Sequence, residues 1–234
     1  MSFHDDDLSS FRSSHKPVIL SAIKSVTTAS ATDGAYARFV KPTFDFLIVL
    51  LFAPIILTIV GLSALIVALD GHNPFYAQER VGQGGRVFRL FKLRSMVPNA
   101  DALLEAHLAT NPDARLEWEL NQKLRDDPRI TRFGRLIRKT SIDEMPQFLN
   151  VLLGDMSLVG PRPFTVDQRS QYTGVRYFDM RPGLSGLWQI STRHDSEFVA
   201  RAQFDDLYAR SLSFAGDIRI MLRTLVAIAR GTGC

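Results

Sequence analysis

The chain has 234 residues, 46% hydrophobic and 22% charged, with a formal net charge of +4. That length holds one domain of moderate size together with a membrane anchor, and the excess of cations favours anionic partners such as lipid headgroups, nucleotides or nucleic acid. The single cysteine, Cys234, excludes an internal disulfide and a cysteine metal site; it lies outside any prenylation box, and no repeat at solenoid spacing is present.

Residues 1–41 are poor in large apolar side chains and carry Asp5-Asp6-Asp7 and the low-complexity run Thr27-Thr28-Ala29-Ser30-Ala31-Thr32. This composition predicts a disordered N-terminal tail. It is no secretory signal, because the apolar run starts late and lacks a small-residue cleavage site. Residues 42–70 form the predicted membrane-inserted segment: within them, FLIVLLFAPIILTIVGLSALIVAL carries no charge and is long enough to span a bilayer with some tilt. Pro54 interrupts the run and predicts a break there, with Ala53 pushed off helical geometry. Arg38 and Lys41 precede the run, and Arg80, Arg86, Arg89, Lys92 and Arg94 follow it. The positive-inside rule then prefers both flanks in the cytoplasm, which a Pro-broken, re-entrant helix satisfies. A straight span is the alternative, since proline is tolerated in membrane helices.

Residues 71–234 are expected to form a cytosolic and interfacial domain. Gly82-Gln83-Gly84-Gly85 between two β-prone runs predicts a short hairpin, with the glycines serving the turn rather than cradling phosphate. Lys92 and Arg94 alternate with Phe91 and Leu93, so they share one strand face; that face either grips a pyrophosphate or is simply solvated. Two amphipathic helices are predicted over residues 101–109 and 115–124, separated by Asn111-Pro112. His107 is read as a surface or packing residue, and no spacing suits zinc. In residues 126–139, Arg129, Arg132, Arg135 and Arg138 recur every three positions among apolar residues. Such a basic amphipathic segment predicts a membrane-surface helix facing anionic headgroups. Nucleic acid is disfavoured, because stacking aromatics in series are missing.

Residues 138–163 read RKTSIDEMPQFLNVLLGDMSLVGPRP. Their order is cation, adjacent carboxylates Asp143 and Glu144, an apolar helix ending at Gly154, then a rigid turn bearing Arg162. Carboxylate oxygens suit Mg²⁺ shared with substrate phosphates. Arginine forks match phosphate oxygens, and a carboxylate can attack phosphorus to give an acyl phosphate. The same residues also fit a capping box, with Ser141 as N-cap and Glu144 reaching back, so chemistry alone leaves both roles open. Asp155 is read as a turn acid. Downstream, the glycines of RPGLSGLWQ (residues 181–189) give backbone freedom near a ligand. Trp188 would either stack on a base or sit in a membrane-interface belt. Helices are predicted over residues 196–212 and 216–230, the last packing on the core or lying half in the interface.

The stretch TSIDEMPQFLNVLLGDMSLVGPRP resembles the signature of bacterial polyisoprenyl-phosphate hexose-1-phosphate transferases, the membrane enzymes that start exopolysaccharide and O-antigen repeat units. FKLRSM and RPGLSGLWQ resemble two further elements of that family, in the family's order, and the likeness covers roughly residues 44–230. It implies an α-rich (α+β) fold, with a membrane-inserted helix, a short β-hairpin and interfacial helices around a small catalytic domain. It implies transfer of hexose-1-phosphate from a UDP-hexose to undecaprenyl phosphate, with release of UMP. Galactose or glucose is the expected sugar. By this resemblance Asp143 is the nucleophile of a phospho-aspartyl intermediate. Glu144 helps bind Mg²⁺ or manage protons, making both acids the metal candidates. Arg138, Arg162, Lys92 and Arg94 neutralise phosphates, with Arg138 also a candidate for orienting the two acids. Implied surroundings are the bacterial inner membrane, with the catalytic domain on its cytoplasmic face, membrane lipids, other polysaccharide assembly enzymes and compatibility with a homodimer. No large multi-spanning region precedes the anchor, so a short catalytic form is expected. The competing readings are a non-catalytic membrane scaffold of a polysaccharide assembly complex and a membrane-tethered nucleic-acid binder.

Overall fold

A computed structural model of the chain describes residues 33–121, 124–191, 198 and 201–229. Most of the expected tail, the start of the helix expected from residue 196, and Cys234 lie outside the described residues. Where the tail was expected to continue, a helical turn over Asp33–Ala35 and a π-helical turn over Tyr36–Val40 lead directly into helix α1, Lys41–Ala68. Contrary to the break expected at Pro54, α1 is continuous through it. The ring removes one N–H bond, while the Pro54 carbonyl still accepts from the Thr58 hydroxyl at 2.8 Å. The buried residues Lys41, Asp45, Val49, Ile56, Ser63 and Ala64 recur at helical spacing and form one stripe. Much of the remainder of α1 is apolar and exposed, including Leu47, Leu50, Leu51, Leu57 and Leu65. The helix, with its preceding turn, is long and apolar enough to cross a membrane, and only 17% of its most apolar stretch is buried inside the protein.

Strands β1 (Phe75–Val81) and β2 (Val87–Leu93) form the expected hairpin, with Phe75 opposite Leu93 and Val81 opposite Val87. Gly84 and Gly85 adopt φ of 65° and 77°, which side chains avoid, so the glycines do serve the turn. Helices α2 (Ala100–Thr110) and α3 (Pro112–Asn121) follow near their expected positions. Helix α4, Arg132–Lys139, is capped by the Thr131 hydroxyl, which accepts from the Gly134 N–H at 2.8 Å. Arg132 and Arg135 are exposed as expected. Arg129 is not: it is buried, paired with Asp127 at 2.6 Å and stacked 5.1 Å from the Trp118 ring centre. It precedes the helix, so the three-residue periodicity does not apply to it.

After α4 the chain makes a 3-10 turn, Ile142–Glu144, and then α5, Gln147–Leu152. Two three-residue strands, β3 (Ser157–Val159) and β4 (Gly183–Ser185), pair in parallel. They bring the Gly-Pro-Arg-Pro turn against the Arg-Pro-Gly segment. The Gly160 N–H donates to the Ser185 carbonyl and the Gly183 N–H to that of Pro161, both at 2.8 Å. A Cβ on Gly183 would sit 2.1 Å from the Gly160 nitrogen. This glycine therefore permits backbone to approach backbone, where the sequence had suggested approach to a ligand. Helices α6 (Leu187–Ser191), α7 (Arg201–Arg210) and α8 (Phe214–Ala229) complete the fold.

The main core joins Val49 of α1 to Leu90, Val151, Leu158, Leu187, Trp188, Phe204 and Ile220. A second cluster packs Val81 with Phe164, Tyr172 and Tyr177, and a third packs Ala64 with Leu93 and Ile137. Asn150, fully buried, locks α5 to the hairpin: its oxygen accepts from the Phe91 N–H at 3.1 Å and its amide donates to the Arg89 carbonyl at 2.7 Å. This pairing satisfies the outer edge of β2 and fixes the next residue, Lys92, against the turn that follows α4.

Candidate active site

The turn from α4 into Ile142–Glu144 is made by Ser141, whose φ of 57° is uncommon for a residue with a side chain. Its hydroxyl makes no capping bond, and α5 starts later, with Pro146 in the N-cap position. The capping box expected as one reading of Ser141 and Glu144 is therefore not formed. A left-handed serine costs about 1 kcal/mol or more. Here it directs Asp143 and Glu144 towards a cavity that Lys92, Arg138, Arg162, Trp188 and Gln189 also line.

Sequence positions far apart thus converge. Lys92 Nζ donates to Glu144 Oε1 at 2.8 Å, and an Arg162 terminal nitrogen donates to the same oxygen at 3.3 Å. Arg138 lines the cavity from the last turn of α4. Arg94 does not line it. Its guanidinium points the other way, holding both oxygens of Asp70 (2.7 and 2.6 Å) and the Val67 carbonyl at the end of α1 (3.2 Å). The strand ends at Leu93, so alternation no longer places Arg94 on the Lys92 face.

The two adjacent carboxylates have different surroundings. Glu144 is held between cations and is partly exposed. Asp143 is only 7% exposed, and its Oδ1 has no hydrogen-bond partner. Burial pushes the Asp143 carboxyl up to about 6; Lys92 draws it down, Glu144 pushes it up, and Arg138 and Arg162 draw it down. A buried carboxylate oxygen without a partner is costly unless a ligand completes it. Such an atom amid cations is suited to meeting an electrophilic phosphorus or a hard cation.

Trp188 occupies neither of its expected roles alone. The indole is buried in the main core while bordering the cavity, and the Arg201 guanidinium lies 4.2 Å from its ring centre. Gln189, 3% exposed and with neither its amide oxygen nor its nitrogen hydrogen-bonded, is a cavity residue that sequence reasoning passed over. Its only sequence signal was its place at the end of the RPGLSGLWQ stretch.

Residues 36–231 match the family described as bacterial sugar transferase, and the chain belongs to that family. It is 41% identical over 222 residues to a UDP-galactose-lipid carrier transferase of Erwinia amylovora, a match covering 94% of this chain and 45% of that protein. It is 41% identical over 231 residues to an undecaprenyl-phosphate galactose phosphotransferase of Salmonella typhimurium, covering 96% of this chain and 46% of that protein. Against the exopolysaccharide production protein ExoY of Rhizobium meliloti, identity is again 41%, over 199 residues, covering 82% of this chain and 87% of the relative. The chain thus spans slightly less than half the length of the first two relatives and most of the third.

Proposed function

We propose that the protein transfers hexose-1-phosphate from a UDP-hexose to undecaprenyl phosphate, releasing UMP, as an early step of exopolysaccharide synthesis. The observation that carries this reading is Asp143: buried, with an unpartnered oxygen, in a cavity bordered by Lys92, Arg138 and Arg162. Two of the similar proteins are named for galactose, which makes UDP-galactose the first donor to test and UDP-glucose the second.

In the first half-reaction an Asp143 oxygen attacks the phosphorus attached to the sugar. An O–P bond forms, the bond to the bridging oxygen breaks, and UMP leaves with that oxygen and its electron pair. In the second, a phosphate oxygen of undecaprenyl phosphate attacks the phospho-aspartyl group, and Asp143 is freed. Lys92, Arg138 and Arg162 neutralise charge on the phosphoryl oxygens, the main contribution a protein makes to such a transfer. Glu144 holds Lys92 and Arg162 in place, since it accepts from both. The donor set also fits Mg²⁺, which commonly takes one or two carboxylates and completes its shell with water and substrate phosphate. Asp143, through its unpartnered oxygen, and Glu144 would hold it. When bound it would offset the negative charge of the diphosphate. Helix α1 would keep the site at the inner-membrane surface, on the cytoplasmic side, where the soluble donor and the lipid phosphate meet.

The test is UMP release by detergent-purified protein supplied with Mg²⁺, undecaprenyl phosphate and a panel of UDP-sugars. Release with one sugar is expected, and Asp143→Asn, which keeps shape but loses the nucleophile, should abolish it. Full activity in Asp143→Asn would remove the covalent mechanism. No release with any sugar, from folded protein, would return the scaffold reading.

A further inference from the structure

Beyond Arg162, two partly buried arginines that the mechanism above does not use lie near the cavity. Arg80, on β1, donates to the Pro163 carbonyl at 3.3 Å and to the Gln78 amide oxygen at 2.6 Å. Arg201, at the start of α7, lies over the rings of Trp188 and Phe198, at 4.2 and 4.9 Å. Neither forms an ion pair among the described residues, and the Nε atom of each is buried without a hydrogen-bond partner. The nearby carboxylates do little to balance them. Glu144 already serves Lys92 and Arg162, while Asp205 accepts from the Tyr172 hydroxyl at 2.6 Å. Burial pushes the Asp205 carboxyl up to about 6. Burial, followed by repulsion from Arg162, lowers both Arg80 and Arg201 to about 10.

Partly buried cations whose Nε atoms are shut off from water and unpaired carry a desolvation cost that a bound anion would offset. Arg162 borders the cavity that holds Asp143, and Trp188, on which Arg201 stacks, borders it too. Pro163, which receives Arg80, directly follows Arg162 in the chain. The Arg80 and Arg201 guanidiniums are therefore neighbours of Arg162, each close enough to be repelled by it.

We infer that Arg80 and Arg201 form, beside Arg162, a second phosphate subsite that binds a phosphate group other than the one attacked by Asp143. The inference rests on the transferase reading for the owner of that phosphate. Two species would supply it: the nucleoside monophosphate that leaves, or the polyprenyl phosphate that accepts. Planar guanidiniums suit such an oxyanion, since they offer paired donors, and Arg201 does so while its face rests on the Trp188 and Phe198 rings.

The experiment titrates the full chain, purified in detergent, with pyrophosphate, UMP and a short-chain polyprenyl phosphate, and repeats this for Arg80→Met, Arg201→Met and Arg201→Lys. Each methionine variant should bind pyrophosphate about tenfold or more weakly, the loss expected for hydrogen bonds to a charged group. Arg201→Lys should recover part of that loss, which a purely structural arginine would not require. A parallel loss for UMP alone assigns the subsite to the leaving nucleotide; a loss for polyprenyl phosphate alone assigns it to the acceptor. Arg80 also holds the Pro163 carbonyl, so if Arg80→Met fails to fold, the Arg201 pair decides. Unchanged pyrophosphate affinity in folded Arg201→Met, or no pyrophosphate binding by the parent chain, overturns the subsite. Pyrophosphate binding that depends on Arg201, with no response to UMP or polyprenyl phosphate, keeps the subsite and removes the transferase reading instead.

Discussion

Lys41 is the most informative single residue to perturb, because it ties α1 to the rest of the protein through a buried charge. Its Nζ donates to Asp217 on α8 at 2.6 Å and lies 3.9 Å from Asp45, one turn along α1. Asp217 also accepts from the hydroxyls of Tyr36 at 2.7 Å and Tyr208 at 2.8 Å, and Asp45 accepts from Ser157 on β3 at 2.5 Å. Both carboxylates are almost completely buried, at 2% and 1% exposure. Lys41→Met keeps the length of the stem and removes the cation, leaving two acids in the interior. Breaking a buried pair from one side costs about 3–5 kcal/mol, a large share of the roughly 5–15 kcal/mol that holds a domain together. Thermal unfolding in detergent, read by near-ultraviolet circular dichroism, should show a markedly lower midpoint. Lys41→Met combined with Asp217→Asn should recover much of the loss, since the asparagine carries no charge, its oxygen still accepts from one tyrosine hydroxyl and its amide can donate to the oxygen of the other. A single variant within about 0.5 kcal/mol of the parent, the scatter of ordinary surface substitutions, would refute the reasoning. So would a double variant worse than the single one.

Lys92→Met should lower turnover by about a hundredfold, the scale of one lost charge-stabilising donor. Arg94→Met should instead lower the melting temperature and leave KM for the UDP-sugar unchanged, because Arg94 clamps the end of α1; equal kinetic losses in the two variants would contradict their separation. For Asp205, burial raises the folded-state value from 3.8 to about 6. Between those limits the native state keeps a proton that the unfolded chain has released, so this group's contribution to stability falls as pH rises through that window, by roughly 3 kcal/mol in all. Asp205→Asn retains an acceptor for Tyr172 and should flatten that part of the stability profile; parallel profiles for variant and parent would count against it.

Some of this architecture was legible in the sequence because it depends on local pattern. An uncharged run announces α1, paired glycines announce the hairpin, and Asp143 beside Glu144 between cations marks residues that come to line one cavity. What escaped depends on tertiary partners. Alternation along β2 was right for Lys92 but failed one residue beyond the strand, where Arg94 found Asp70 and the Val67 carbonyl. Periodicity along the basic stretch was right for Arg132 and Arg135 but failed before the helix, where Arg129 turned inward to Asp127. The capping pattern at Ser141 was locally consistent and yet unused, because the backbone there is left-handed and the helix begins later. Strands of three residues carry no readable period, so β3 and β4 left only their flanking glycines as a trace. Arg80, Gln189 and Arg201 are scattered in sequence, and only the packed chain brings Gln189 into the cavity, Arg80 to the Pro163 carbonyl and Arg201 onto Trp188.

The packing of α1 bears on how it meets the membrane. Its 28 residues extend about 42 Å, more than the roughly 30 Å of bilayer hydrocarbon. Yet the protein leans on it along the whole length. Lys41 meets Asp217 near its start, Val49 enters the main core, and Ala64, Val60 and Val67 pack against Leu93, Ile137 and Phe133 near its end. A perpendicular span would carry one of these contact regions into hydrocarbon, together with cations such as Arg132 and Arg135 of α4, which are exposed. An arrangement with both ends of α1 on one face avoids that cost and matches the cations on both flanks. Single cysteines can test it, with Cys234 replaced by serine. Phe39→Cys and Leu69→Cys lie at opposite ends of the helix and are well exposed, at 63% and 85%. In intact cells whose outer membrane is permeabilised, a membrane-impermeant maleimide should label neither, and after the inner membrane is opened it should label both. Labelling of exactly one end in intact cells would establish a span and would require α1 to part from the contacts described here.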